Sequence, residues 1–138
     1  MPQTDPATFV SPAPDDRCPC LSGLVFGECC GRLLTGEANA PTAVQLMRSR
    51  YTAFVTGDAG YLLATWHPST RPAELDLDPS IRWLRLEVVR SERGGPLDRD
   101  GVVEFVAFFR HDGERGEQHE VSRFERSGGR WQYVNAVE

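Results

Sequence analysis

The chain has no lysine: all 15 of its basic residues are arginine, so Schiff-base chemistry on a side-chain amine is closed to it. It has only 3 histidines, and none stands in a spacing that would open a catalytic metal site. A phosphate-cradling glycine loop, a dinucleotide-binding fingerprint and a Ser-His-Asp order are equally absent. No apolar run approaches the roughly 20 residues of a membrane helix, and the N-terminus lacks a basic segment leading into an apolar one. A reducing cytoplasm is therefore the expected compartment, with no membrane association. The formal net charge of -5 disfavours non-specific contact with nucleic acid or anionic lipid. What remains, at 138 residues, 40% hydrophobic and 25% charged, is one globular domain with a small appendage.

Cysteine is missing from the chain except between residues 18 and 30, where all 4 cysteines fall: Cys18-Pro-Cys20, then Cys29-Cys30-Gly31. Thiolates are soft ligands, and four at tetrahedral reach describe a structural zinc site. The alternative is a disulfide. Rings closed between Cys29 and Cys30, or between Cys18 and Cys20, would be strained, which leaves crossed pairs such as Cys18 with Cys29 as the competing arrangement. Gly23, Gly27 and Gly31 allow tight turns around a metal, and Phe26 is a plug beneath it. Four thiolates on a divalent ion leave a formal charge of about -2, which Arg17 and Arg32 are placed to offset.

Residues 1–16 carry four prolines and three aspartates and read as a flexible tail. The cysteine knuckle occupies 17–36, and a linker ending at Pro41 leads into the main domain, 41–138. Thr42 is an N-cap for a helix to about Thr56, whose apolar positions fill one broad face. Arg50 lies at the centre of that face and needs a partner, because an unpaired buried charge is very costly. A second helix is expected over Ala59–Trp66, with His67 at its C-terminal end. A short third helix is expected to begin at Pro72 and end before Pro79. The period then changes to two, giving strands near 81–90, 102–110, 118–126 and 130–137. Gly128-Gly129 marks a two-residue hairpin between the last two. In that register Arg126 faces Trp131, Phe124 faces Tyr133, Ser122 faces Asn135 and Glu120 faces Val137. The aromatic face turns inward and carries Glu120 and Ser122 with it, so Glu120 is the expected partner of Arg50.

The spacing Cys-Pro-Cys-x8-Cys-Cys-Gly resembles the SEC-C zinc motif found at the end of the protein-translocation ATPase and on other bacterial proteins. Leu46-Met47-Arg48-Ser49-Arg50-Tyr51-x-Ala53-Phe54, then Tyr61-Leu62-x3-Trp66-His67-Pro68 and Glu120-x-Ser122-Arg123-Phe124, is similar to the YchJ-type family of uncharacterised bacterial proteins. The resemblance implies a SEC-C-like knuckle followed by a nuclear-transport-factor-two-like (NTF2-like) α+β cone, in which three helices pack into a curved, antiparallel four-stranded sheet. Two departures stand out. Leu21 replaces a usual glycine, and the lysines of the translocase knuckle give way to Leu24, Val25 and Glu28.

Three functions are compatible with these residues. The closed thiolate site has no open coordination position, and Leu21, Leu24, Val25 and Phe26 are many apolar residues for so short a knuckle. A zinc-binding interaction module with a protein partner follows. The alternative is a small-molecule cone, isomerase-like or dehydratase-like by resemblance of fold, with Arg50, Tyr51, Trp66, His67, Glu120, Ser122 and Tyr133 as pocket residues. No catalytic motif marks the chain as an enzyme. Release of zinc on oxidation of the cysteines is a third reading.

Overall fold

The computed structural model describes residues 9–137. One turn of 3-10 helix, Phe26–Glu28, and a short helix α1 (Cys30–Leu34) close the cysteine segment, and α2 (Ala43–Thr56) and α3 (Ala59–Ala64) follow. Strands β1 (Arg82–Arg93), β2 (Asp100–His111), β3 (Glu114–Ser127) and β4 (Arg130–Ala136) form one antiparallel sheet in chain order. The α+β class and the order of helices before strands agree with the sequence.

The placement of the third helix does not. It is the knuckle's own α1, and residues 71–80 hold no helix. Burial there alternates, with Leu75, Leu77 and Pro79 half-buried and Glu74, Asp76 and Asp78 exposed, which is the period of extended chain. The stretch joins the β4 edge to the start of β1. Extended residues cover about 3.3 Å each and helical ones about 1.5 Å, so an extended path suits the span, and proline tolerates it.

Helix α2 is the centre of the molecule. Thr42 Oγ1 accepts from the Gln45 backbone N–H at 3.1 Å, and Gly57 ends the helix in the left-handed region at φ 77°. Instead of burying one face, the helix is enclosed all round at its middle: every residue from Ser49 to Ala53 is buried, Arg50 and Thr52 included. Helix α3 starts on Asp58, whose side chain accepts from the Tyr61 N–H at 2.9 Å. It stops two residues earlier than expected because the chain is captured by β4. The Tyr133 N–H donates to Thr65 O, and the His67 N–H donates to Tyr133 O, both at 2.8 Å. This short parallel contact covers part of the open β4 edge.

The sheet turns one face to α2. Phe105 pairs with Glu120, Ala107 with Gln118 and Val103 with Ser122, so all six side chains share that face. Trp83 joins them, with Tyr51, Phe54 and Phe109 packed round its ring at centroid distances of 6.2, 5.8 and 5.5 Å. In the β3–β4 hairpin Arg126 faces Trp131 and Phe124 faces Tyr133, as expected, but the register then slips. Val134 is an extra residue between Tyr133 and Asn135, so Arg123 faces Asn135 and Ser122 faces Ala136. Asn135 and Val137 are therefore exposed, whereas Glu120, Ser122, Phe124, Trp131 and Tyr133 keep the inner side. Irregularities in β1 near Trp83–Arg85 and Val88–Arg90 add to the bending of the sheet.

The core is continuous from knuckle to sheet. Cys18, Cys20 and Cys30 pack in one buried cluster with Leu46, Met47 and Tyr51 of α2 and with Phe105, Phe124 and Trp131 of the strands. Of the stretch expected to be a flexible tail, residues 1–8 lie outside the described residues, as does Glu138. Pro14 O and Asp16 O accept from the Gly27 and Phe26 N–H groups at 2.9 and 2.7 Å, and the Phe9 ring lies against Gly57. No described helix is long and apolar enough to cross a membrane.

Candidate functional site

The four cysteines converge. Cys18, Cys20, Cys29 and Cys30 place their sulfurs within 4.8 Å of one another, and all four are free thiols. The Cys20–Cys29 and Cys29–Cys30 Sγ separations are 3.6 and 4.0 Å. A tetrahedron of four sulfurs at about 2.3 Å from a central ion has edges of about 3.8 Å, whereas a disulfide needs about 2.05 Å. The arrangement fits a tetrahedral metal ion and not crossed disulfides. Its electrostatics point the same way. Hydrogen bonds from the Cys20 and Cys30 thiols draw Cys18 down to about 3, and Cys30, facing Cys18 and Cys20 and buried, is driven far upward. Four thiols this close share their protons; a divalent cation replaces those protons and allows all four to ionise.

Three contacts fix the knuckle to itself and to the cone. Ser22 Oγ lies 3.1 Å from Cys29 Sγ, and Thr52 Oγ1, fully buried on α2, lies 3.9 Å from Cys18 Sγ. Arg48 Nη1 donates to Cys20 O at 2.8 Å. Arg17 and Arg32, the expected neutralising residues, are exposed, and Arg17 forms a backbone bridge to Val25. Leu21 holds a left-handed conformation at φ 63°, which explains why glycine suits that position, and its side chain is 56% exposed.

On the opposite side of α2 a cavity of about 250 Å³ opens between the helix and the sheet. Arg50, Tyr51, Trp66, Glu120 and Tyr133, five of the seven pocket candidates, line it. Phe54, Trp83, Phe105, Ala107 and Gln118 also line it and were not anticipated as pocket residues. The pairing of Ala107 with Gln118 and of Phe105 with Glu120 would have revealed several of them, but only once the β2–β3 register was known. Ser122 sits fully buried beneath Glu120. His67 is not part of the cavity: its Nε2 is 3.3 Å from Glu125 and its Nδ1 2.7 Å from Ser69 Oγ. Capture of residues 65–67 by β4 is what turns it away.

The expected Arg50–Glu120 ion pair is not made. Arg50 Nη1 donates to Leu62 O and Thr65 Oγ1 at 2.8 and 2.7 Å, while the guanidinium carbon lies 4.7 Å from the Tyr133 ring centre and 5.1 Å from that of Trp66. Glu120 accepts instead from Ser122 Oγ, the Tyr133 hydroxyl and Gln118 Nε2, at 2.7, 3.0 and 3.2 Å. Tyr133 thus stands between the two charges, offering its ring to the cation and its O–H to the carboxylate. Burial pulls Arg50 down to about 10, which leaves it charged at neutral pH, and Tyr133 and Glu120 partly offset the burial. Burial likewise pushes Tyr51 and Tyr133 up, so both phenols are donors rather than phenolates near pH 7.

A curved sheet packed on helices and capped by a four-cysteine knuckle defines an NTF2-like cone with a SEC-C motif. The profile described as "YchJ, middle NTF2-like domain" matches residues 42–136, and the SEC-C motif matches residues 16–32. The chain belongs to the YchJ family, whose curated members similar to it are UPF0225 proteins. One from Corynebacterium efficiens is 52% identical over 119 residues, covering 86% of this chain and 91% of the relative. Another from Streptomyces coelicolor is 52% identical over 122 residues, covering 88% and 95%. Among solved structures, a SEC-C motif containing protein from Rhodopseudomonas palustris is 34% identical with a TM-score of 0.75, covering 86% of this chain and 95% of that one. One from Psychrobacter arcticus is 27% identical with a TM-score of 0.72, covering 88% and 82%.

Because Leu21 occupies a glycine-like conformation with an exposed side chain, Leu21→Gly should raise the stability of the protein by about 0.5–1 kcal/mol, the relief of left-handed strain less the entropy gained by the unfolded chain. The denaturation midpoint in urea measures this, and a lowered midpoint would show that the leucine side chain contributes more than its backbone costs.

Proposed function

We propose that the four cysteines hold a structural zinc ion, and that the knuckle so formed braces helix α2 of a cone whose interior receives a small molecule. A closed set of four thiolates leaves zinc no open position for water or substrate, so the centre supplies rigidity and not catalysis. Its free thiolates suit a reducing compartment such as the cytoplasm. The observation that carries the receptor reading is the cavity beside Arg50: a buried cation that lines open space and lacks the carboxylate partner expected for it. The volume, about 250 Å³, lies just below the range of small-ligand pockets, which begin at about 300 Å³. Binding is favoured over catalysis because Glu120 spends its oxygens on three internal donors, and the phenols beside it are held neutral.

Ala107, 4% exposed in the cavity wall, provides the test. In a thermal-shift screen of small metabolites, compounds that raise the melting temperature of the wild-type protein should lose that effect in Ala107→Leu, which fills the space. An Ala107→Leu protein that folds and responds to the same compounds as wild type would place their binding elsewhere and remove the reading.

A second reading, the protein-interaction role, draws support from the knuckle surface. Leu24 is 52% exposed beside a hollow lined by Ser22, Cys29, Arg32 and Arg48, and Leu21 is also exposed. A partner retained by wild type should be lost by Leu24→Ser at unchanged zinc content and melting temperature. Retention of the partner by Leu24→Ser would contradict this reading.

A further inference from the structure

We infer that the ligand of the cone is a compact monocarboxylate with an apolar or aromatic body, its carboxylate paired to Arg50 and its body set against Phe54, Trp83 and Phe105. The inference rests on the receptor reading above and names the chemistry that the cavity selects. Arg50 is 3% exposed, and among the described residues no carboxylate approaches it within 4.0 Å. Its guanidinium carries five N–H donors. Nη1 is committed to Leu62 O and Thr65 Oγ1, whereas Nε and Nη2 meet no acceptor among the described residues. The rings of Trp66 and Tyr133, which stand at right angles to each other, pack against the group and restrain it, and its uncommitted N–H groups are a donor fork of the kind that a carboxylate takes in two parallel bonds.

The rest of the lining sets the body of the ligand. Six aromatic rings, those of Tyr51, Phe54, Trp66, Trp83, Phe105 and Tyr133, surround the space, with Met47 and Ala107 between them. Glu120 is the one acidic group there, and its oxygens already accept from Ser122, Tyr133 and Gln118. Its negative charge argues for a single carboxylate rather than a phosphate or a dicarboxylate, since each added charge on the ligand would be repelled by it. The cation has uncommitted donors, an apolar enclosure and no carboxylate in contact with it. A ligand that brings one carboxylate and little else satisfies all three.

Benzoate, phenylacetate, 3-phenylpropionate and isocaproate, each against its own amide, test this by titration calorimetry on the zinc-loaded full chain. At least one acid should bind with a dissociation constant below about 1 mM, tighter than its amide by about tenfold or more. Arg50→Gln should abolish the difference between acid and amide. Because removing Arg50 risks the fold, Glu120→Gln is the second variant: it keeps acceptors for Tyr133 and Ser122, removes the repelling charge, and should tighten the acids severalfold while leaving the amides unchanged. Equal binding of acids and amides, or a Glu120→Gln protein that loses its preference for acids, overturns the carboxylate while the receptor reading stands. No binding by any acid, when other compounds in the thermal-shift screen do bind, has the same consequence. A chain that binds none of the acids and nothing in the screen overturns both.

Discussion

Everything in this molecule leans on the burial of three polar residues in the middle of α2. Ser49, Arg50 and Thr52 are each at most 3% exposed, and each is directed to a different neighbour. Ser49 Oγ meets the Tyr61 hydroxyl of α3 at 2.7 Å, Arg50 binds the carbonyl and hydroxyl at the end of α3, and Thr52 reaches Cys18 of the knuckle. Unpaired, any one of them would cost on the order of 1–3 kcal/mol, and Arg50 more. Paired, they fix the rotation of α2, and that rotation puts Met47, Tyr51 and Phe54 against the sheet.

The same helix separates two sites of opposite character. On one side lies a dense cluster of four cysteine thiols. On the other lies a cavity walled by aromatic rings, whose one cation, Arg50, packs against two of them and is hydrogen-bonded through Nη1. The knuckle is therefore not a module hung beside the cone. Its cysteines belong to the same hydrophobic cluster as the sheet, and Arg48 and Thr52 bind it to the very helix that carries Arg50.

Much of this was legible in the residues. The crowding of all cysteines into one short stretch points to a four-sulfur site, and Arg50 at the centre of an apolar stripe to a buried cation. The alternation of β3 brought Glu120 and Ser122 inward correctly. What the pattern could not show were features set by tertiary contact. The bulge at Val134 displaces Asn135 and Val137 without any glycine or proline to signal it. The capture of Thr65 and His67 by Tyr133 ends α3 early and takes His67 out of the site. The extended path of residues 71–80 looks like a helix start because Pro72 suits both. The Arg50–Glu120 pair failed for a related reason: opposite charges on facing elements suggest contact, but Tyr133 stands between them and satisfies each by a different part of its ring.

Amide hydrogen exchange of the protein after zinc loading and after chelation tests the central proposal, that a metal held by the four cysteines stabilises α2 and through it the cavity. On removal of the ion, amides of residues 47–56 should lose protection well beyond the change seen in β2 and β3, whose long ladder of paired backbone groups does not depend on the knuckle. Protection of α2 that stays the same after the metal is stripped would contradict the account and leave the knuckle as a separate appendage.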